Sequence, residues 1–156
     1  MRGIMGRFGA AILALIFMQA SAMAASGWRD PATPQCEIVT AARSGDNTAV
    51  IDGIVNMFED RVAGDKIPGI IDPLKGYVSD KTFTDAQLYD TRRFEDELAQ
   101  YFLVLNLDTG DKVYAVVTFG YTGRSWVFDN FVYNTDWDEI SPQLSYISGK
   151  VRAERC

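Results

Sequence analysis

Residues 117 to 139, "VTFGYTGRSWVFDNFVYNTDWDE", carry seven aromatic rings and four carboxylates. Tyr and Trp bury much area at little entropic cost and anchor interfaces. Carboxylates do acid–base work or hold hard cations. Asp136, Asp138, Glu139 and Asn134 have the donor types of a calcium site. They lack the spacing and central glycine of the twelve-residue calcium loop. A polar turn is the expected reading, and no metal ligand is assigned. Glu95, Asp96 and Glu97 form a charge run that reads as a solvated face. The "DTG" at 108–110 matches the triplet of aspartic proteases, but it falls in a hairpin turn of a chain too small for that two-lobed enzyme.

The chain has no histidine. The usual base of serine and cysteine hydrolases is therefore missing, as is the commonest zinc ligand. No GxSxG, P-loop or GxGxxG motif occurs, and "GYTG" is a turn rather than a phosphate cradle. No catalytic residue and no cofactor are expected. The carboxylates leave a two-carboxylate hydrolase open as a third reading.

The elements that must position these residues follow from periodicity and turn chemistry. Pro34 suits a first helical turn with Thr33 as its cap, so "PQCEIVTAAR" reads as a helix ending at Ser44-Gly45. Val50, Ile51, Ile54, Val55, Met57, Phe58 and Val62 trace one helix face over residues 48–64, with Gly64 as its stop. Residues 64–81, rich in Gly and Pro, read as irregular, with a short strand at 69–71. "FTDAQL" has a helix-start pattern, with Thr84, Gln87 and a Phe83–Leu88 contact, so residues 85–93 are expected to be helical. "QYFLVLNL", "KVYAVVTFGY" and "WVFDNFVY" are strands joined by the turns "DTGD" and "TGRS", which makes an antiparallel meander. "EISPQLSYI" reads as short helix or coil, and "KVRAERC" as a closing edge strand.

The expected class is α+β, with N-terminal helices packed on a C-terminal antiparallel β-meander. This order of elements resembles small cystatin-like and NTF2-like cones, in which a helix lies in the lap of a curved sheet. The resemblance is one of layout, carried by no motif. One sheet face takes the helices; the other is too apolar for a bare surface. Loops 64–83 and 134–150 cover it, or a ligand does. Trp126 and Phe128 are assigned to the core, with Val132 as a further apolar partner on their side. Tyr121, Tyr133 and Trp137 sit at or beside turns. With Asp129, Asp136 and Asp138 they form the candidate binding surface.

The chain opens with Arg2 and Arg7, an apolar run over about residues 10–18, and "ASAMAA". That is the layout of a secretory signal peptide. Cleavage after Ala22 or Ala24 satisfies the small-residue rule, and Ala24 is the expected site. The competing reading, a membrane anchor, needs roughly 20 apolar residues. Residues 25–156 are then expected to be one domain stapled by a disulfide between the two cysteines, Cys36 and Cys156. Such a bond closes a loop of about 120 residues and stabilises by roughly 4–5 kcal/mol on the chain-entropy model. A free thiol or an intermolecular bond are the alternatives.

The net charge is −6, and it becomes −8 once the two leader arginines are removed. Neither nucleic acid nor an anionic membrane suits that charge; a basic protein does. The expectation is a non-enzymatic binding protein, periplasmic or secreted, of the inhibitor or immunity type, whose partner is another protein. The alternative is a small-molecule or lipid carrier with an apolar cavity between helix and sheet.

Overall fold

The computed structural model describes residues 27–58, 61–94, 97–144 and 152–156. The expected leader with its cleavage site, two acids of the charge run (Glu95 and Asp96), and residues 145–151 lie outside that set. The architecture is α+β. Helices α1 (Thr33–Arg43), α2 (Asn47–Phe58) and α3 (Ile67–Tyr77) precede strands β1 (Phe83–Phe94), β2 (Leu98–Leu107), β3 (Lys112–Tyr121) and β4 (Trp126–Asn134). Helix α4 (Trp137–Leu144) and the short strand β5 (Arg152–Ala153) follow. All strand pairs are antiparallel, in the order β4-β3-β2-β1-β5.

Ala32, rather than Thr33, occupies the cap position of α1, and its N–H donates to the Asp30 carboxylate at 3.0 Å. Pro34 lies in the first turn, where a missing N–H costs nothing. Asp46 starts α2, its carboxylate accepting the Ala49 N–H at 2.9 Å. The two helices cross closely at Gly53, where an added Cβ would sit 2.8 Å from the Ile38 side chain. Val50, Ile51, Ile54, Met57 and Phe58 are the buried face of α2. The described helix runs to Phe58, and residues 61–64 are not helical, so it stops short of the expected end at Gly64. The Arg61 and Val62 N–H groups both donate to the Phe58 carbonyl at 2.8 Å.

Two segments differ in kind from the sequence reading. Residues 67–77 are a helix, neither an irregular stretch nor a short strand. Pro68 sits at its start, where proline is tolerated, and Gly69, Pro73 and Gly76 all face solvent. Ile67, Ile70, Ile71, Leu74 and Val78 recur at three- and four-residue spacing on the packed side. Residues 83–94 are a strand, not a helix. Thr84, read as a cap, instead donates its hydroxyl to the Asn106 carbonyl at 3.4 Å. Long pairing with β2 outweighs a local helix-start signal. The Asn47 amide fixes where this strand begins. It accepts the Phe83 N–H at 3.0 Å and donates to the Lys81 carbonyl at 2.6 Å.

Helices α1, α2 and α3 cover one sheet face. Leu88, Tyr101, Leu103, Val117 and Phe119 point into that layer with α1 and α2, all but sealed from solvent. Cys36 on α1 bonds Cys156 just beyond β5, with Cα atoms 5.0 Å apart. The staple therefore ties the C-terminal tail to the first helix. At the opposite sheet edge, Trp28 pairs with Trp126, each N–H donating to the other's carbonyl at 2.8 Å. Gly27 makes this approach feasible: a Cβ there would lie 2.2 Å from the Ser125 hydroxyl.

Candidate functional site

The second sheet face is where recognition chemistry gathers. Across β1, β2 and β3 the rings of Tyr89, Phe102 and Tyr114 form a row. Tyr89 and Phe102 are cross-strand partners with centroids 6.2 Å apart, and Phe102 and Tyr114 lie 6.2 Å apart and 7° from parallel. The Trp137 ring stands edge-on to this row, 5.9 Å from Phe102 and 5.5 Å from Tyr114. Quadrupole attraction favours both the offset-stacked and the edge-on arrangement.

Local sequence explains how Trp137 reaches this place. The Asn134 side-chain carbonyl accepts the Asp136 N–H at 2.9 Å, and the Asp136 carboxylate accepts the Asp138 N–H at 2.9 Å. These two turns take the chain off β4 and start α4 beneath the sheet. Asp138 and Glu139 in the first turn complement the helix dipole. Ile140, fully buried against Phe102, Val104 and Val116, pins the helix. Trp137 is left at the rim, 47% exposed.

Between α4 and the β1–β3 surface runs an open groove of about 560 Å³. Its walls are Tyr89, Phe102, Val104, Tyr114, Trp137 and Leu144, with Gln87, Thr91 and Lys112 as polar points. The Tyr89 hydroxyl donates to the Gln87 side-chain carbonyl, which fixes the ring. Thr91, at a bulge in β1, donates to the Gln100 carbonyl at 3.0 Å. A depression of about 620 Å³ lies over the disulfide, lined by Asp30, Glu37, Thr40, Glu154 and Arg155 among others. It is the larger by volume, but it has no aromatic anchor. The aromatic groove is the better candidate for recognition.

The six residues of the sequence-derived surface do not form one patch. A bulge explains most of the scatter. Thr118 pairs with Asn130 and Phe119 with Phe128, so Asp129 is an extra residue in β4. Beyond it the side chains swap faces. Phe131 and Tyr133 therefore join Trp126 and Phe128 on the helix side, and Val132 turns to the other. The Phe58 ring touches both Phe128 and Phe131, at 5.0 and 5.4 Å. Trp126 and Phe128 are buried, at 8% and 5% exposure, but Val132 is not their companion.

Tyr133 is half-buried under α3 and donates its hydroxyl to the Ile70 carbonyl at 3.0 Å. Desolvation by burial pushes its pKa up, against an opposing backbone hydrogen bond from α3. Tyr121, 41% exposed, stacks on Trp126 at the far end of β3, on the helix side. Asp129 is exposed at the bulge. Of the six, Trp137 alone lines the groove, with Asp136 and Asp138 flanking it as turn and helix-start residues. Tyr89, Phe102 and Tyr114 are the members the sequence reading did not assign. Phe102 and Val104, then Tyr114 and Val116, alternate on the face left over by the core, and this signal could have found Phe102 and Tyr114.

Among the described residues no cluster of three His, Cys, Asp or Glu side chains could hold a metal ion. None of their helices is long and apolar enough to cross a membrane. No family model matches the chain, and no curated protein and no solved structure matches it either.

Proposed function

We propose that this chain is an exported, non-enzymatic binding protein of the periplasm that holds a segment of a partner protein in the aromatic groove. The observation that carries the reading is the Tyr89–Phe102–Tyr114 row with Trp137 exposed at its rim. Such rigid rings around a concave surface are what interface hot spots are made of. Among the described residues the groove's lining has no carboxylate and no nucleophile paired with a base, which supports recognition over catalysis. The leader pattern and the disulfide support export. The acidic balance and the carboxylates beside Trp137 support a basic partner of the kind an inhibitor or immunity protein neutralises. A carrier that uses the space between helix and sheet receives less support, because large side chains such as Phe58, Tyr101 and Phe119 occupy that layer.

The test uses the protein without its leader as bait in periplasmic extract, beside Trp137→Ala and Tyr114→Ala variants. The expected result is a protein retained by wild type and lost from both variants, with both variants still melting cooperatively. Equal retention by all three baits rules the groove out as the binding site.

A further inference from the structure

We infer that the outer edge of β4 over residues 130–134 is a pairing surface for a second copy of this chain. The proposal stands apart from the groove and rests on the edge's hydrogen-bonding parity and its sequence. β4 is an end strand of the sheet. Its first residue already accepts an antiparallel partner, because Trp126 exchanges both backbone hydrogen bonds with Trp28.

That exchange fixes which backbone groups point outward. The Tyr121 N–H donates to the Glu97 carbonyl on the β2 side, so the Tyr121–Trp126 pair is not hydrogen-bonded and Trp126 faces out. Alternation along β3 makes Thr118, Val116 and Tyr114 the residues bonded to β4. Their partners Asn130, Val132 and Asn134 therefore face inward. Phe131 and Tyr133 turn their N–H and C=O groups outward, and no partner for them is seen among the described residues.

The five residues read Asn-Phe-Val-Tyr-Asn, close to a palindrome. Two copies aligned antiparallel about Val132 set each Asn130 opposite Asn134 and each Phe131 opposite Tyr133. The latter are the outward-facing residues, so both aromatic pairs exchange both backbone bonds. This register matches like side chains, aromatic with aromatic, which sheet pairing favours. It also contains no charge, although each chain carries net −8 once the two leader arginines are removed. Asp129 and Asp136 fall just outside it. The bulge at Asp129 breaks the edge before this stretch, which confines pairing to the self-complementary residues.

The experiment uses the disulfide-bonded protein without its leader. Sedimentation should show a concentration-dependent dimer. Val132→Lys sets two like charges opposite each other and should raise the dissociation constant by about tenfold or more, with the monomer still folded. Val132→Cys is the second probe and changes little volume. Across the dyad the two Cα atoms would stand about 4.5 Å apart, within reach of a disulfide. Mild oxidation should link it to a covalent dimer far faster than Asp129→Cys, whose residue is exposed but does not meet its own copy. A strictly monomeric wild type overturns the proposal. So does Val132→Cys linking no faster than Asp129→Cys, even if a dimer forms by another surface.

Discussion

The two faces of the sheet use the same residue types to opposite ends. On the helix side Tyr101, Phe119, Phe58 and Phe128 are enclosed by three helices. On the other side, among the described residues, Tyr89, Phe102, Tyr114 and Trp137 lie beside one helix of eight residues, with Phe102 buried and Trp137 47% exposed. An aromatic ring is therefore no indicator of function by itself. What distinguishes the faces, among the described residues, is how much helix lies against each.

The sharpest way to break this contrast is to put a charge into the closed face. Ile54→Asp places an unpaired carboxylate at a site 1% exposed and should leave no folded protein at room temperature. A cooperative melt near that of wild type would mean the layer is not closed. Removing the staple is next: replacing Cys36 and Cys156 by alanine should cost about 2–5 kcal/mol in denaturant unfolding. A smaller effect of opposite sign is expected at Gln35. Its amide is fully buried on α1 with no hydrogen-bond partner for either polar atom among the described residues. Gln35→Leu removes that unmet desolvation and should raise stability by about 1 kcal/mol. Loss of stability would reveal a partner, such as a buried water. On the open face, Trp137→Ala should change stability by no more than about 1 kcal/mol, while costing about 2 kcal/mol or more in partner binding.

The smallest effect concerns pH and a site off both faces. Lys81 and Asp111 pair at 3.3 Å, with Lys81 also 3.6 Å from the Tyr77 ring centre. The Thr109 hydroxyl and then Lys81 hold the Asp111 carboxyl below its usual value of 3.8. A lowered carboxyl pKa gives stability that is present above that value and lost as pH falls through the folded one. Asp111→Asn should therefore flatten the acid limb of the stability profile below about pH 4. For Lys81, desolvation works against the charge, but Asp111 and Tyr77 outweigh it and raise the pKa above 10.5. Its contribution is present below that value and lost as pH rises through the folded pKa, so Lys81→Met should flatten the alkaline limb. An unchanged profile in both variants would mark the pair as energetically silent.

Much of the closed face was legible in the sequence. The spacing in α2, the hairpin turns and the two cysteines are local or compositional signals, and they placed Ile54, Trp126, Phe128 and the staple. The open face was less legible, for two physical reasons. Tyr89 sits in a segment whose helix-start pattern is real but loses to pairing with β2, a non-local term. Asp129 adds a single residue to β4, and no local propensity announces a bulge there. Because strand side chains alternate with period two, that residue inverted every assignment from Asn130 to Tyr133. The spacing in α3 was readable, but its prolines and glycines masked it. They fall on the solvent side, outside the packed stripe.

The Cys36–Cys156 bond also settles how the molecule bears load. A tether attached beyond Cys156 pulls through a covalent bond into the first turn of α1, bypassing the two-residue pairing of β5. A tether attached ahead of Gly27 pulls, among the described residues, on the Trp28–Trp126 bridge and on the packing of Trp28 against the core, including Phe119 at 5.7 Å. The C-terminal end, held by a covalent bond, is thus the firmer handle, and pulling on the N-terminal end acts first on the edge of β4 at its first residue.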